Sequence, residues 1–501
     1  MKQVATILRK DVRYLWLEIL ASFALLIGFT VLEPRSWAEE SLPGVFLGGA
    51  SAGILSVLLC FSWGIIIVRL VQAERLVGVN QFWTTRPYEW PKLLAAKGLF
   101  VLLVIDVPLA LAQIFLLHRA HLLILQSMPL LLLNLLLLTT AFVLPVACFA
   151  ALTGSFVHAL LAVLAGLVCI AVSTYLDAPK LRELAPLFLP TLQIAIPGIV
   201  LSAVLLRQYS RRATVRSWAI LATAPVLLLV AQVGLRGTSL AALGYARSAD
   251  AVPPLLQLDD DPARKVGVGL SSDPASDSKL QPFLHLPLRA ANIQPGTSLE
   301  RSGQRVVLTN ARGVIWQSPW LFGGGTFASG VTAFTEFPIS RAAYERLGDG
   351  PVSLRIEFAL EELHDQPPMQ FTVSTEGDRI PGLGFCALDE SYSAIECRSA
   401  YRWADSFAVS TSRRLGLLCA GPDAASEPAH GFLGGTHMAA ALHISPVILE
   451  RLQLHGSGKA ATLCPGTPIS FVQKRLERHI EVQMPSASIE LKDYVDAVKV
   501  K

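Results

Sequence analysis

LVQAERLVGVNQFWTTRPYEWPKLLAAK, residues 70–97, separates two apolar runs that are each long enough to cross a bilayer. A plain reversal of the chain needs only a few polar residues. This stretch instead carries Phe82, Trp83, Tyr88 and Trp90, the prolines Pro87 and Pro91, and the cations Arg86, Lys92 and Lys97. Glu74 and Arg75 precede a Gly78-Val79-Asn80 turn signal. Pro87 disfavours helix at the residue before it. Pro91 suits the first turn of a new helix that runs through Lys97 into the next apolar run. The physical reading is an amphipathic elbow at the membrane face, with aromatics in the interface and cations towards water. It serves either as an anchor for two spans or as a surface for a partner.

Composition fits this placement. The 501 residues are 52% hydrophobic and 16% charged, with a mean hydropathy of +0.49. Soluble domains are about 25% charged, so much of the chain belongs in lipid. A net charge of +4 over this length gives no reason to expect a nucleic-acid partner. Seven segments approach the roughly 20 apolar residues that a spanning helix needs: 14–33, 46–69, 98–117, 128–152, 156–176, 188–206 and 218–236. Beyond residue 237 no comparable run occurs. There Gly, Pro, Asp and Ser rise, and short alternating stretches such as Gln304–Leu308, Val352–Ala359, Met369–Ser374, Ser406–Ser410 and His479–Gln483 read as strands between turn signals. The expected fold is a polytopic α-helical membrane domain followed by a mostly-β, sandwich-like domain. ISRAAYERL at 339–347 and ISPVILERL at 444–452 match at five of nine positions, either as a weak repeat that would divide the β region into two modules or as a chance similarity of two short helices.

The distribution of Lys and Arg sets the orientation. The N-terminal tail (Lys2, Arg9, Lys10, Arg13), the elbow, and the connection with Arg207, Arg211, Arg212 and Arg216 are cation-rich. If all seven segments span, these fall on one side. The N-terminus is then cytoplasmic and residues 237–501 lie outside. Ser36-Trp37-Ala38 after a basic start has the outline of a signal cleavage site, but the apolar stretch exceeds the usual 7–15 residues, so an uncleaved first span is expected.

Cysteines fit that topology. Cys60, Cys148 and Cys169 fall in spans, whereas Cys386, Cys397, Cys419 and Cys464 fall in the outer domain. Four cysteines in an oxidising compartment allow three disulfide connectivities. Cys386 with Cys397, which would close FCALDESYSAIEC, is the first expected pair. Free thiols and a metal site are the alternatives, although no Cys-x-x-Cys pair is present.

The run from Glu74 through Gly78, Phe82, Trp83, Thr85, Arg86 and Pro87 to Lys92 and Lys97 resembles the cytoplasmic segment of type-2 ATP-binding-cassette exporter permeases. Leu8-Arg9-Lys10-Asp11-Val12-Arg13 resembles the interfacial entry helix of that family. The resemblance covers about residues 1–206 as a six-span core. It implies an elbow at 70–97 that docks on a separate cytoplasmic ATPase subunit, a dimer of permeases, and ATP with Mg on that partner rather than here. Residues 207–236 add a basic loop and a seventh span, and residues 237–501 add a domain that the family pattern lacks. No phosphate-binding loop is present. In LQLHGSGKAAT (452–462), Gln453 stands where the first glycine belongs and Ala460 where a hydroxyl would hold magnesium.

Asp106, in VLLVIDVPLAL, is the acidic residue deepest in an apolar run. It could line a path, relay protons or stabilise a helix break at Pro108. It could equally be a carboxyl bonded to Asn134, Thr139 or Thr140 on the next span. Glu361-Glu362-Leu363-His364-Asp365-Gln366 reads as a solvated turn, and Gly434-Gly435-Thr436-His437 as a loop. Neither His-Glu-x-x-His nor Gly-x-Ser-x-Gly occurs, so an enzyme is not expected. The leading expectation is an exporter permease in a bacterial cytoplasmic membrane. A membrane-anchored binding or sensor protein is the alternative.

Overall fold

The computed structural model describes residues 2–39, 47–73, 89–162, 189–235 and, between 245 and 495, everything but 262–282, 412–428, 434–443 and shorter stretches. The chain divides into two compact units. The first is 1–172, 191–230 and 368–473; the second is 173–190, 231–367 and 474–501.

The first unit begins with an amphipathic helix, α1 (Lys2–Tyr14), joined through Leu15 to α2 (Trp16–Glu39). α3 (Leu47–Gln72) follows. The next long helix starts at α4 (Trp90–Val101), with Glu89 as its N-cap and Pro91 in its first turn, as the sequence implies. It widens into a π-turn at Leu102–Asp106 and continues as α5 (Val107–Arg119). Its neighbour repeats the device: α6 (Ile124–Leu138), a π-turn at Thr139–Val143, and α7 (Leu144–Leu152). In each case a proline, Pro108 or Pro145, stands second after the π-turn. A proline has no N–H for the carbonyl four residues back, and its ring crowds that carbonyl. The helix yields by one residue, so Val107 N–H bonds the Leu102 carbonyl and Leu144 N–H that of Thr139.

Four stretches among the described residues are long and apolar enough to cross a membrane: Trp16–Arg35, Gly53–Gln72, Trp90–Arg119 and Ile124–Leu152. They correspond to the first four expected spans and mark the chain as a membrane protein. α8 (Leu189–Arg211) and α9 (Thr214–Leu235), of 23 and 22 residues, coincide with the sixth and seventh. Most of the fifth, and the charged 177–188 stretch, lie outside the described residues.

Residues 368–473 belong to this helical unit. They form an antiparallel sheet of Asp378–Ile380, Gly384–Leu388, Ile395–Ala400 and Val447–Leu452, in that order. Phe371 and Phe471, on paired strands and edge-to-face at 5.8 Å, share a small core with Ile380, Leu388, Phe407 and Ile469. Ile444 and Val447 instead join the core of the helices.

The second unit is a β-sandwich. One sheet pairs Leu255–Leu258, Phe283–Ala291 and Thr332–Pro338; the other is built on Thr297–Asn310 and Pro351–Asp365, with residues 475–483 alongside. Leu284, Leu286 and Leu288 from one face and Val306, Leu308, Leu354, Ile356 and Phe358 from the other fill a single core. Each expected strand is present. Two local expectations are corrected. EELHDQ does not form a turn: residues 361–365 end the strand Pro351–Asp365, where Glu362 pairs with Arg478 directly across the ladder at 2.5 Å and Glu361 accepts from Ser302 Oγ at 2.8 Å. Nor is the 339–347 and 444–452 repeat a structural one. The first copy is a helix, Arg341–Leu347, capped by Ser340, and the second is the strand Val447–Leu452. Ala-Ala-Tyr favours helix, whereas Pro446 followed by Val-Ile favours an extended chain.

Tyr245 in this unit is 1% exposed, with its ring 5.1 Å from that of His479. Burial pushes its phenol up to about 12, and the nearby Glu361 carboxylate adds to the effect. Ser302 lies near enough to favour the phenolate slightly, but no hydrogen bond of normal geometry reaches the hydroxyl. The folded state therefore holds the proton that the unfolded chain releases near pH 10. Stability is unaffected below pH 10 and falls as pH rises towards 12, by about 2–3 kcal/mol in all. In denaturant melts the stability gap between wild type and Tyr245→Phe should be wider at pH 11.5 than at pH 8, in favour of the variant at the higher pH. Parallel losses in both proteins would refute this.

Candidate functional site

One group of charged residues of the helical unit gathers at the α1 end. α1 carries Lys2, Arg9, Lys10 and Arg13 on its wet face, and Ile7 buries against the helices. Asp11 lies on the buried side as well. Its Oδ2 accepts from Lys97 Nζ at 2.8 Å, with the two side chains 1% and 4% exposed. Beside this pair Glu18, in the first turn of α2, meets Arg69, in the last turn of α3. The Arg69 guanidinium lies 5.1 Å from the centre of the Tyr14 ring. Gln72 Nε2 reaches Thr153 Oγ1 at 3.4 Å, tying the end of α3 to the end of α7. The Asp11–Lys97 ion pair thus ties the entry helix to the start of the third span, on the side where the 70–97 segment joins the helices.

Halfway along the same span, Asp106 Oδ1 accepts from Thr139 Oγ1 at 3.4 Å. Of the three partners considered from sequence, Thr139 is the one that bonds it; Thr140 Oγ1 donates to the Leu136 carbonyl. The contact joins the two π-turns, so the weakest helical geometry and the intramembrane carboxylate coincide. Lys97 and Asp106 are nine residues apart, about 14 Å along a helix, and Asp106 stands near the middle of the apolar Trp90–Arg119 stretch. Gly198 packs against this level: a Cβ there would lie 2.9 Å from Thr140 Cγ2.

The opposite end carries the 368–473 segment. Cys386 and Cys397, directly opposed in the ladder, form a disulfide, as the sequence led us to expect. The next pair along, Phe385 and Arg398, faces the helix ends. The Arg398 guanidinium sits 5.6 Å from the Trp37 ring centre and 5.9 Å from that of Phe385. Burial lowers its pKa, and the nearby Glu396 partly offsets this. Phe385 also stacks on His121 at 5.0 Å, and Arg379 Nε donates to the His121 carbonyl at 3.0 Å. Gln113 Nε2, fully buried in α5, donates to the Ile444 carbonyl at 2.9 Å. Gly384 lets the hairpin close: its φ is +134°, and a Cβ would fall 2.0 Å from the Arg398 carbonyl oxygen.

Of the sequence-predicted elbow residues, Glu74, Gly78, Phe82, Trp83, Thr85, Arg86 and Pro87 lie outside the described residues, as do Cys419 and Cys464. Lys92 is exposed in the first turn of α4, 2.6 Å from Glu89. Sequence reasoning missed the Asp11–Lys97 pair. The available signal was an acidic residue on the apolar side of an otherwise basic amphipathic helix. No family model, curated protein or solved structure matches the chain.

Proposed function

We propose that this chain is the transmembrane permease subunit of an ATP-driven exporter of the ATP-binding-cassette type. In this reading six spans within residues 1–206 form the core and a seventh follows at 218–236. The N-terminus is cytoplasmic, and residues 237–501 lie outside a bacterial cytoplasmic membrane. Two such chains, or this chain and a paired permease, move an amphiphile by alternating access. Two ATPase subunits, which carry the ATP and Mg, dock on the elbow from Glu74 to Lys92.

The observation that carries the proposal is the buried Asp11–Lys97 pair. It couples the interfacial entry helix to the helix that leaves the elbow, so a push on the elbow reaches two elements together. Two further features agree with the orientation. The 368–473 segment meets the helix ends opposite α1, and its Cys386–Cys397 disulfide suits an oxidising compartment.

The test is a pull-down from native cells in mild detergent, comparing wild type with Trp83→Ala/Arg86→Glu. An ATPase should copurify with wild type and be lost from the variant. If folded wild type brings down no ATPase, the anchored binding-protein reading replaces this one.

A further inference from the structure

At the α1 end of the helices, α1, α3 and Phe156 enclose an open cavity of about 790 Å³. Its walls change character with depth. Lys10, Asp11, Arg69 and Gln72 line its polar part, whereas Ile65 and Phe156 are apolar. Ile65 precedes Gln72 by seven residues, which places it about 10 Å deeper along α3. α1 joins α2 through Leu15 alone, and Tyr14 and Trp16 are each 54% exposed at that junction. Half-exposed aromatics of this kind sit at a bilayer surface. The cavity therefore lies at headgroup level with its apolar end towards hydrocarbon.

The polar end is built for both signs of charge. Lys10 and Arg69 are 49% and 36% exposed. Asp11 is buried, with Oδ2 taken by Lys97, but its Oδ1 accepts no hydrogen bond and has Lys10 Nζ at 3.9 Å. A buried carboxylate oxygen without a donor is costly, and Asp11 is one of the residues that line the cavity.

We propose that the cavity binds the headgroup of an aminophospholipid. Its phosphate lies against Arg69, Lys10 and the Gln72 amide, its primary ammonium donates to Asp11 Oδ1, and its chains lie along Ile65 and Phe156. A choline headgroup carries the same phosphate but has no N–H to give, and a glycerol headgroup has no cation. The site stands whether or not the chain transports.

Native mass spectrometry of the delipidated full-length protein in detergent tests this, with phosphatidylethanolamine, phosphatidylcholine and phosphatidylglycerol offered at equal concentration. Ethanolamine lipid should be retained about tenfold over choline lipid, the difference one charge-assisted hydrogen bond makes. Lys10→Glu, at an exposed position, and Ile65→Trp, which fills the apolar end, should each reduce retention while the protein stays monodisperse. Equal retention of ethanolamine and choline lipids, preference for the glycerol lipid, or indifference to both variants would overturn the proposal. Displacement of the lipid by soluble phosphoethanolamine at matched concentration would also overturn it, since the apolar wall would then contribute nothing.

Discussion

Lys97→Ala is expected to destabilise the purified full-length protein by about 3–5 kcal/mol, the usual cost of removing one partner from a buried ion pair. The size follows from what remains. Asp11, 1% exposed, would lose its close partner and be left with Lys10 Nζ at 3.9 Å from the far oxygen. Asp11→Asn should cost somewhat less, because the amide can still accept a hydrogen bond from Lys97. The double variant Asp11→Leu/Lys97→Met exchanges the pair for apolar side chains of similar volume and should recover most of the loss. Thermal melts followed by fluorescence-detected gel filtration would rank the four proteins. If Lys97→Ala melts with wild type, the pair is not buried as described. If the double variant is stable but inactive, the charges serve coupling rather than folding.

Cys386→Ala/Cys397→Ala should cost about 3 kcal/mol, from the loop entropy of a bond that spans 11 residues. The loss should be local. The hairpin holds Phe385 and Arg398 against Trp37 and His121, so loosening it exposes residues 368–473 to protease and leaves the four spans intact. Limited proteolysis of wild type with and without reductant, beside the double variant, reads this directly. Reduced wild type and the variant should be cut alike and faster than oxidised wild type. Equal rates in all three samples would show that the hairpin is held by its packing alone.

What the sequence revealed follows the range of the interactions involved. Spans are legible because about 20 apolar residues are a local fact. The strands from Thr297 to Gln483 are legible because their alternation is local too. Thr139 could be named as a partner of Asp106 because both lie on adjacent spans at matched depth. EELHDQ misled because its charges mimic a turn, and their partners, Arg478 and Ser302, come from other strands. The two nine-residue stretches of the apparent repeat share Ile, Ser, Glu, Arg and Leu, but the residues that differ decide the conformation. The attachment of residues 368–473 to the helices had no local trace at all. It depends on Gln113 meeting Ile444 and on Arg398 meeting Trp37, contacts between distant parts of the chain.

The paired π-turns give the helical unit a shared soft plane. Each of two adjacent spans has lost regular hydrogen bonding at one level, and the Thr139–Asp106 contact joins the two levels. Above and below, the segments are ordinary rigid rods. Tilting the lower halves as one body would swing the upper halves about that plane as a lever does about its fulcrum. The lower arm ends at the Asp11–Lys97 clamp and the upper arm at His121, against the disulfide-braced hairpin. A modest displacement at one end of these two helices can thereby reach the other end without unfolding a single turn.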